Sequence, residues 1–169
     1  MTDTKTIKQR FADATTDHQR TEALFASEQN ADDELVDFLL SIARNSKAHD
    51  LTRIEAINGL GLCGSRVPSA VPRIVDALVE LANNDSDTDV QNYALMALGH
   101  NASDVDPRRI LPSLEKGRDS NSRHSALAVL RGQTHRPEVL DTLRGLVADP
   151  ELGRAAKRML AEAEGNRGS

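Results

Sequence analysis

The sequence predicts an all-α protein, an α-solenoid of about four helix pairs behind an N-terminal helical cap. Three observations predict it. Four segments share apolar residues at i, i+1 and i+4: Leu35-Val36-Leu39, Ile74-Val75-Leu78, Ile110-Leu111-Leu114 and Val139-Leu140-Leu143. That spacing puts one apolar stripe on a helix. After each segment comes an alanine four residues before a leucine: Ala56/Leu60, Ala94/Leu98, Ala126/Leu130 and Ala156/Leu160, at spacings of 38, 32 and 30 residues. Self-similarity at such a period marks stacked helix pairs, none of which can bury its apolar face alone. Finally, no alternating apolar pattern proposes a strand.

In chain order, residues 1–30 read as the cap, with a helix near 4–14 that aligns Ile7, Phe11 and Ala14, then a short helical turn at 21–26. The repeat region, 31–164, divides at 31–64, 65–104, 105–133 and 134–164. First helices are expected near 33–45, 70–83, 107–117 and 137–147, and second helices near 51–62, 89–99, 122–131 and 151–163. Residues 165–169 read as a disordered tail.

The punctuation fits these bounds. Asp106-Pro107 and Asp149-Pro150 each read as an N-cap followed by proline at the first helical position. Asp50 and Asp89 can cap the second helices of the first two repeats. Gly61, Gly99 and Gly132 follow the leucine closely, where a helix end favours a residue that tolerates positive φ. Pro112 falls inside its helix and should kink it or delay its start.

Aromatics make up 2% of the chain and tryptophan is absent, so the core must be built from alanine and leucine. The same scarcity leaves few platforms on which bases or flavins could stack. The lone Cys63 excludes an intramolecular disulfide and points to a reducing compartment. The polar start lacks a signal-peptide core and no apolar run could span a membrane, so a cytoplasmic location is expected. The net charge of −5 is unevenly spread. Between Arg73 and Arg108 there are seven acids (Asp76, Glu80, Asp85, Asp87, Asp89, Asp104, Asp106) and no base. Residues 108–136 then carry seven bases against Glu115 and Asp119. An acidic middle disfavours nucleic acid and can steer a cationic protein.

Motifs that promise chemistry fail in context. Gly59-Leu60-Gly61-Leu62-Cys63-Gly64 spells a dinucleotide fingerprint but ends a helix instead of following a strand. Asp85-Ser86-Asp87-Thr88-Asp89 opens like a calcium loop, but Val90 and Met96 stand where glycine and glutamate are needed, so it reads as a turn and a cap. His18, His49, His100, His124 and His135 are scattered and propose no metal site. Cys63, at an apolar helix end, reads as a buried structural thiol. No catalytic residues, metal or cofactor are expected.

The second helices resemble those of HEAT repeats, especially the short bacterial type also found in phycobilisome lyases. The residues that carry the likeness are Val90-Gln91, Ala94-Leu95, Leu98-Gly99; Thr52-Arg53, Ala56-Ile57, Leu60-Gly61; and Ser122-Arg123, Ala126-Leu127, Leu130. The turn aspartate of that family is similar to Asp50, Asp87 or Asp89, Asp119 and Asp149. Leu152, Ala156 and Leu160 follow the pattern, whereas Gly153 and Ala161 depart from it. The resemblance covers roughly 33–163 and implies a right-handed solenoid with the second helices on its concave side.

That side would present Ile54, Glu55 and Asn58; Asn92, Tyr93 and Met96; His124 and Ala128; and Arg154 and Arg158. Tyr93, the only tyrosine, is the natural aromatic anchor, and the alternative is that it packs between repeats. The expected partner surface is Glu55, Asn58, Asp87, Asp89, Asn92, Tyr93, Met96 and His124. The resemblance implies a non-enzymatic protein-binding module. A narrower version is an inhibitor or immunity-type protein that holds a cationic partner against the acidic central repeats. An accessory subunit of a bilin-lyase-like enzyme and a DNA-binding helical-repeat protein are the alternatives.

Overall fold

The computed structural model describes residues 3–25 and 27–165. Nine α-helices occur among them: α1 (Thr4–Asp13), α2 (Asp17–Leu24), α3 (Asp33–Ala43), α4 (Asp50–Cys63), α5 (Val71–Asn84), α6 (Thr88–Leu98), α7 (Ser120–Arg131), α8 (Pro137–Leu146) and α9 (Gly153–Gly165). Stretches of 3₁₀ helix lie at Ser27–Asn30, Pro68–Ala70, Gly99–Asp104 and Pro107–Leu114, and no strand occurs among the described residues. Gly165 closes α9; the rest of the expected tail, 166–169, lies outside the described residues.

The elements form an α-solenoid of helix pairs. Within pairs, α3 packs on α4, α5 on α6, the 3₁₀ stretch Pro107–Leu114 on α7, and α8 on α9. Between pairs, α4 packs on α6 and α6 on α7, so these three second helices form a continuous row. The repeated positions explain the packing. Ala56, Ile57 and Leu60, Ala94, Leu95 and Leu98, and Ala126, Leu127 and Leu130 are all buried, as are Val36, Leu39, Val75, Leu78, Ile110, Leu114, Val139 and Leu143 from the first helices. In the last pair the core is filled by Leu152, just before α9, and by Ala156 and Met159 within it, while Leu160 is only partly buried.

Several expectations are corrected. The short turn foreseen at 21–26 is α2, which begins at Asp17 because Thr16 and Gln19 form a reciprocal capping box. The cap of α4 is His49, whose Nδ1 accepts from the Leu51 N–H, and Asp50 is the first helical residue. The cap of α6 is Asp87, which accepts from the N–H groups of Asp89 and Val90; Asp89 lies in the first turn. The first helix of the third repeat is 3₁₀ throughout. Pro112 has no N–H to donate and its ring crowds the preceding turn, so an α-helix cannot propagate there.

The glycines also differ from expectation. Gly99 and Gly132 have negative φ, and Gly117 is the only described glycine with positive φ. Gly61 is inside α4, where a Cβ would lie 3.1 Å from both Cα and the carbonyl oxygen of Ala97 in α6. It is glycine so that two second helices can touch backbone to backbone.

Buried arginines tie each repeat to the next. Arg53 in α4 donates from Nε to the Ala43 carbonyl (3.1 Å), which ends α3, and forms an ion pair with Asp85 in the following repeat. Arg123 in α7 does the same with the Leu114 carbonyl (3.1 Å) and with Asp149 and Glu151. At the matching position of the second repeat stands Gln91. It donates to the Asp85 carbonyl (2.5 Å) and accepts from Arg118, which reaches back from the next turn to the Asn83 carbonyl as well. Burial alone would raise the Asp85 pKa, but Arg53 and the Asp87 and Ser86 N–H groups outweigh it and hold the carboxyl below its ordinary value.

Candidate protein-binding face

Each second helix turns its buried stripe inward and leaves one line of side chains outside. On α4 these are Leu51, Glu55, Asn58 and Leu62; on α6, Asp89, Asn92, Tyr93 and Met96; on α7, His124, Ala128 and Arg131; on α9, Arg154 and Arg158. Because α4, α6 and α7 pack side by side, their lines adjoin. Ser125 Oγ of α7 donates to Asn92 Oδ1 of α6 at 2.7 Å, which fixes the seam between them. Glu151, at the entry to α9, accepts from Arg123 and lies 3.5 Å from His124, bringing the last pair alongside α7.

The expected partner residues divide into two groups. Asn58, Glu55, Asn92, Tyr93, Met96, Asp89 and His124 all keep some exposure on this face. Tyr93 packs partly against the core, so Met96, 52% exposed, is the freer apolar anchor. Asp87 instead spends its carboxylate on the cap of α6. Ile54 is buried rather than presented, because α2 of the cap packs against α4 and gives it a neighbour that α6 lacks. The Glu55 carboxyl is pushed above its usual range, first by burial and further by nearby Glu28, against a hydrogen bond from Asn58.

The acidic middle is largely neutralised within the chain. Asp76 pairs with Arg109 (2.6 Å), Glu80 with Arg44 (3.5 Å), Asp106 with Arg108 (2.7 Å), and Asp85 with buried Arg53. Two of these bases come from the interval that looked uniformly basic.

The two rows of helices treat charge differently. Along the first helices, Lys8 of α1 pairs with Glu34 of α3 (2.7 Å). Asp33 of α3 then pairs with Arg73 of α5 (2.6 Å), and Asp76 of α5 with Arg109 (2.6 Å). These pairs stitch α1, α3, α5 and the Pro107–Leu114 stretch together, while α8 pairs only within itself, Arg144 with Asp141. On the second-helix face, Asp89, Arg131 and Arg154 have no ion-pair partner among the described residues, nor has Lys157 at the open end of the row. Leu51 (58% exposed) and Leu62 (40%) add apolar surface that sequence reasoning missed. The basic end was legible. Lys157 occupies the register held by buried Ile57, Leu95 and Leu127, and a lysine in that register cannot be core.

Cys63, by contrast, offers no nucleophile: burial, with Glu28 and Asp32 nearby, pushes its thiol up to about 12. Asp85, Asp87 and Asp89 serve as ion-pair partner, cap and first-turn residue, the turn-and-cap role expected of that segment. No helix among the described residues is long and apolar enough to cross a membrane.

A family model, HEAT-like repeat, matches residues 50–100, the stretch from the start of α4 to just past α6. That stretch is similar to a HEAT-like repeat, in line with the helix-pair spacing read from the sequence. HEAT repeats generally mediate protein–protein interaction. No curated protein matches the chain, and no solved structure matches it.

Proposed function

We propose that this protein is a non-enzymatic protein-binding module that engages its partner through the face formed by α4, α6, α7 and α9. One observation carries the reading. Ion pairs link α1, α3, α5 and the Pro107–Leu114 stretch across the repeats, whereas among the described residues none links the exposed lines of α4, α6 and α7, where Leu51, Leu62 and Met96 stand open with Glu55 and Asp89. Apolar anchors ringed by polar groups are what a protein interface uses. The HEAT-like match supports the same class of function.

In the narrower version, an inhibitor or immunity-type protein, the partner is cationic and meets the α4–α6 end of the face. With Asp76, Glu80, Asp85 and Asp106 paired internally, Glu55 and Asp89 carry that attraction, and Asp87 adds its charge at the cap of α6. The test is affinity capture from native lysate with wild type and a Tyr93→Ala/Met96→Ala variant. The variant, folded by circular dichroism, should lose the partner. If it captures everything the wild type does, this face is not the binding site.

A second reading has one observation in its favour: Arg131, Arg154, Lys157 and Arg158 gather cations on α7 and α9. They would contact phosphates if the partner were DNA. A gel shift with duplex DNA in moderate salt decides it, and the protein-binding reading expects no shift.

A further inference from the structure

A groove lies away from the second-helix face. It has a volume of about 590 Å³ and runs between the start of α5 and the 3₁₀ stretches that follow α6. That is the size of a cleft for a small ligand or a few residues of peptide. Its floor is aliphatic, made by Pro68, Val71, Pro72 and Val75.

Its polar side chains are Ser65, Asp76, His100, Asn101, Asp104 and Arg109. Asn101 is 6% exposed and donates its amide N–H to the Gly61 carbonyl at 3.1 Å; its Oδ1 has no partner among the described residues. Gly64 makes room for that amide, since a Cβ there would lie 2.1 Å from Asn101 Oδ1. Asp104 is exposed at the rim and accepts only from Ser103 Oγ (3.0 Å). His100 and Arg109 also line it; Arg109 is held by Asp76 at 2.6 Å, which leaves Asp104 as the one lining carboxylate without an ion-pair partner among the described residues.

We propose that this groove receives a basic side chain from an extended segment of a protein partner. The aliphatic stem of a lysine or arginine lies along Val71, Pro72 and Val75, and its charged head meets Asp104 and Asn101 Oδ1. Long basic side chains cover apolar surface in this way while their heads keep polar company. A head-to-carboxylate contact is also among the stronger hydrogen bonds available. The site is separate from the second-helix face and does not depend on it.

The test is a ¹H–¹⁵N shift titration of the full chain with acetyl-valyl-arginyl-alanine amide. Three comparisons accompany it: the same peptide with citrulline for arginine, free agmatine, and the peptide against Asp104→Asn. Saturable shifts are expected at Gly64, Ser65, Asn101 and Asp104. Binding should weaken about tenfold with citrulline and about tenfold in Asp104→Asn, while Asp141→Asn on α8 changes nothing. The proposal is overturned if shifts scatter over the surface or if citrulline binds equally well. It is likewise overturned if Asp104→Asn is silent, or if agmatine binds as tightly as the peptide, which would make this a small-cation site.

Discussion

Replacing Arg53 by methionine removes three hydrogen bonds at one point where α3, α4 and the next repeat meet. The Ala43 carbonyl loses its Nε donor at 3.1 Å, and the Asp85 carboxylate, only 8% exposed, loses its counter-ion. Asp85 keeps the Asp87 N–H at 3.0 Å, which is too little to solvate a charge. Breaking a buried pair from one side costs about 3–5 kcal/mol, because it strands the other charge. With a urea m-value of about 2 kcal/mol/M, the unfolding midpoint followed at 222 nm should fall by about 2 M. Arg53→Met/Asp85→Asn removes the stranded charge and keeps an oxygen for the Asp87 N–H. It should recover at least about 2 kcal/mol, a coupling that a double-mutant cycle isolates. A loss under about 1 kcal/mol for Arg53→Met, or a double variant no more stable than the single, would refute the claim that this pair locks adjacent repeats.

Three further outcomes follow from the same packing. Gly61→Ala should destabilise in thermal melts by about 1–3 kcal/mol despite alanine's better helix propensity, since the new methyl meets Ala97 backbone rather than a movable side chain. Asp87→Ala should cost about 1 kcal/mol in urea melts by uncapping α6, whereas Asp89→Lys should leave stability within about 0.5 kcal/mol; if the partner is cationic, Asp89→Lys also slows association and weakens its salt dependence. In acid, Asp149 is held at about 2 by the Leu152 N–H and by Arg123, and Asp85 is also held low. A lowered carboxyl stabilises the fold above its unfolded value of 3.8 and loses that contribution as pH falls through the folded value. Stability should therefore drop between about pH 4 and pH 2. Arg123→Met should flatten that drop in chemical melts taken at successive pH values.

The repeat spacing made the fold legible because an alanine and a leucine four apart must face the same neighbour in each pair. Helix-scale features that depend on one residue were harder to read. Pro112 announced a disturbance, but a stretch wholly 3₁₀ also rests on Asn83, which donates to the Arg109 carbonyl at 2.9 Å and accepts from Ser113 Oγ at 3.1 Å. Asp87 and Asp89 are equivalent as letters, and only the chain path showed which one caps α6. The acidic middle looked like a patch because composition ignores partners; Arg53 and Arg44 lie outside it in sequence and beside it in space, and Arg109, at its edge, reaches back to Asp76. Met96 and Tyr93 could be assigned to one face from helical periodicity. The groove could not, since Val71 and Asp104 stand at opposite ends of one repeat and meet only through the fold.

Hydrogen–deuterium exchange on the captured complex tests the protein-binding face most directly. Added protection should fall on 50–63, 88–98 and 120–131, the segments of α4, α6 and α7, and spare α3 and α5. Protection concentrated on α3 and α5, with the second helices exchanging as in the free protein, would contradict it.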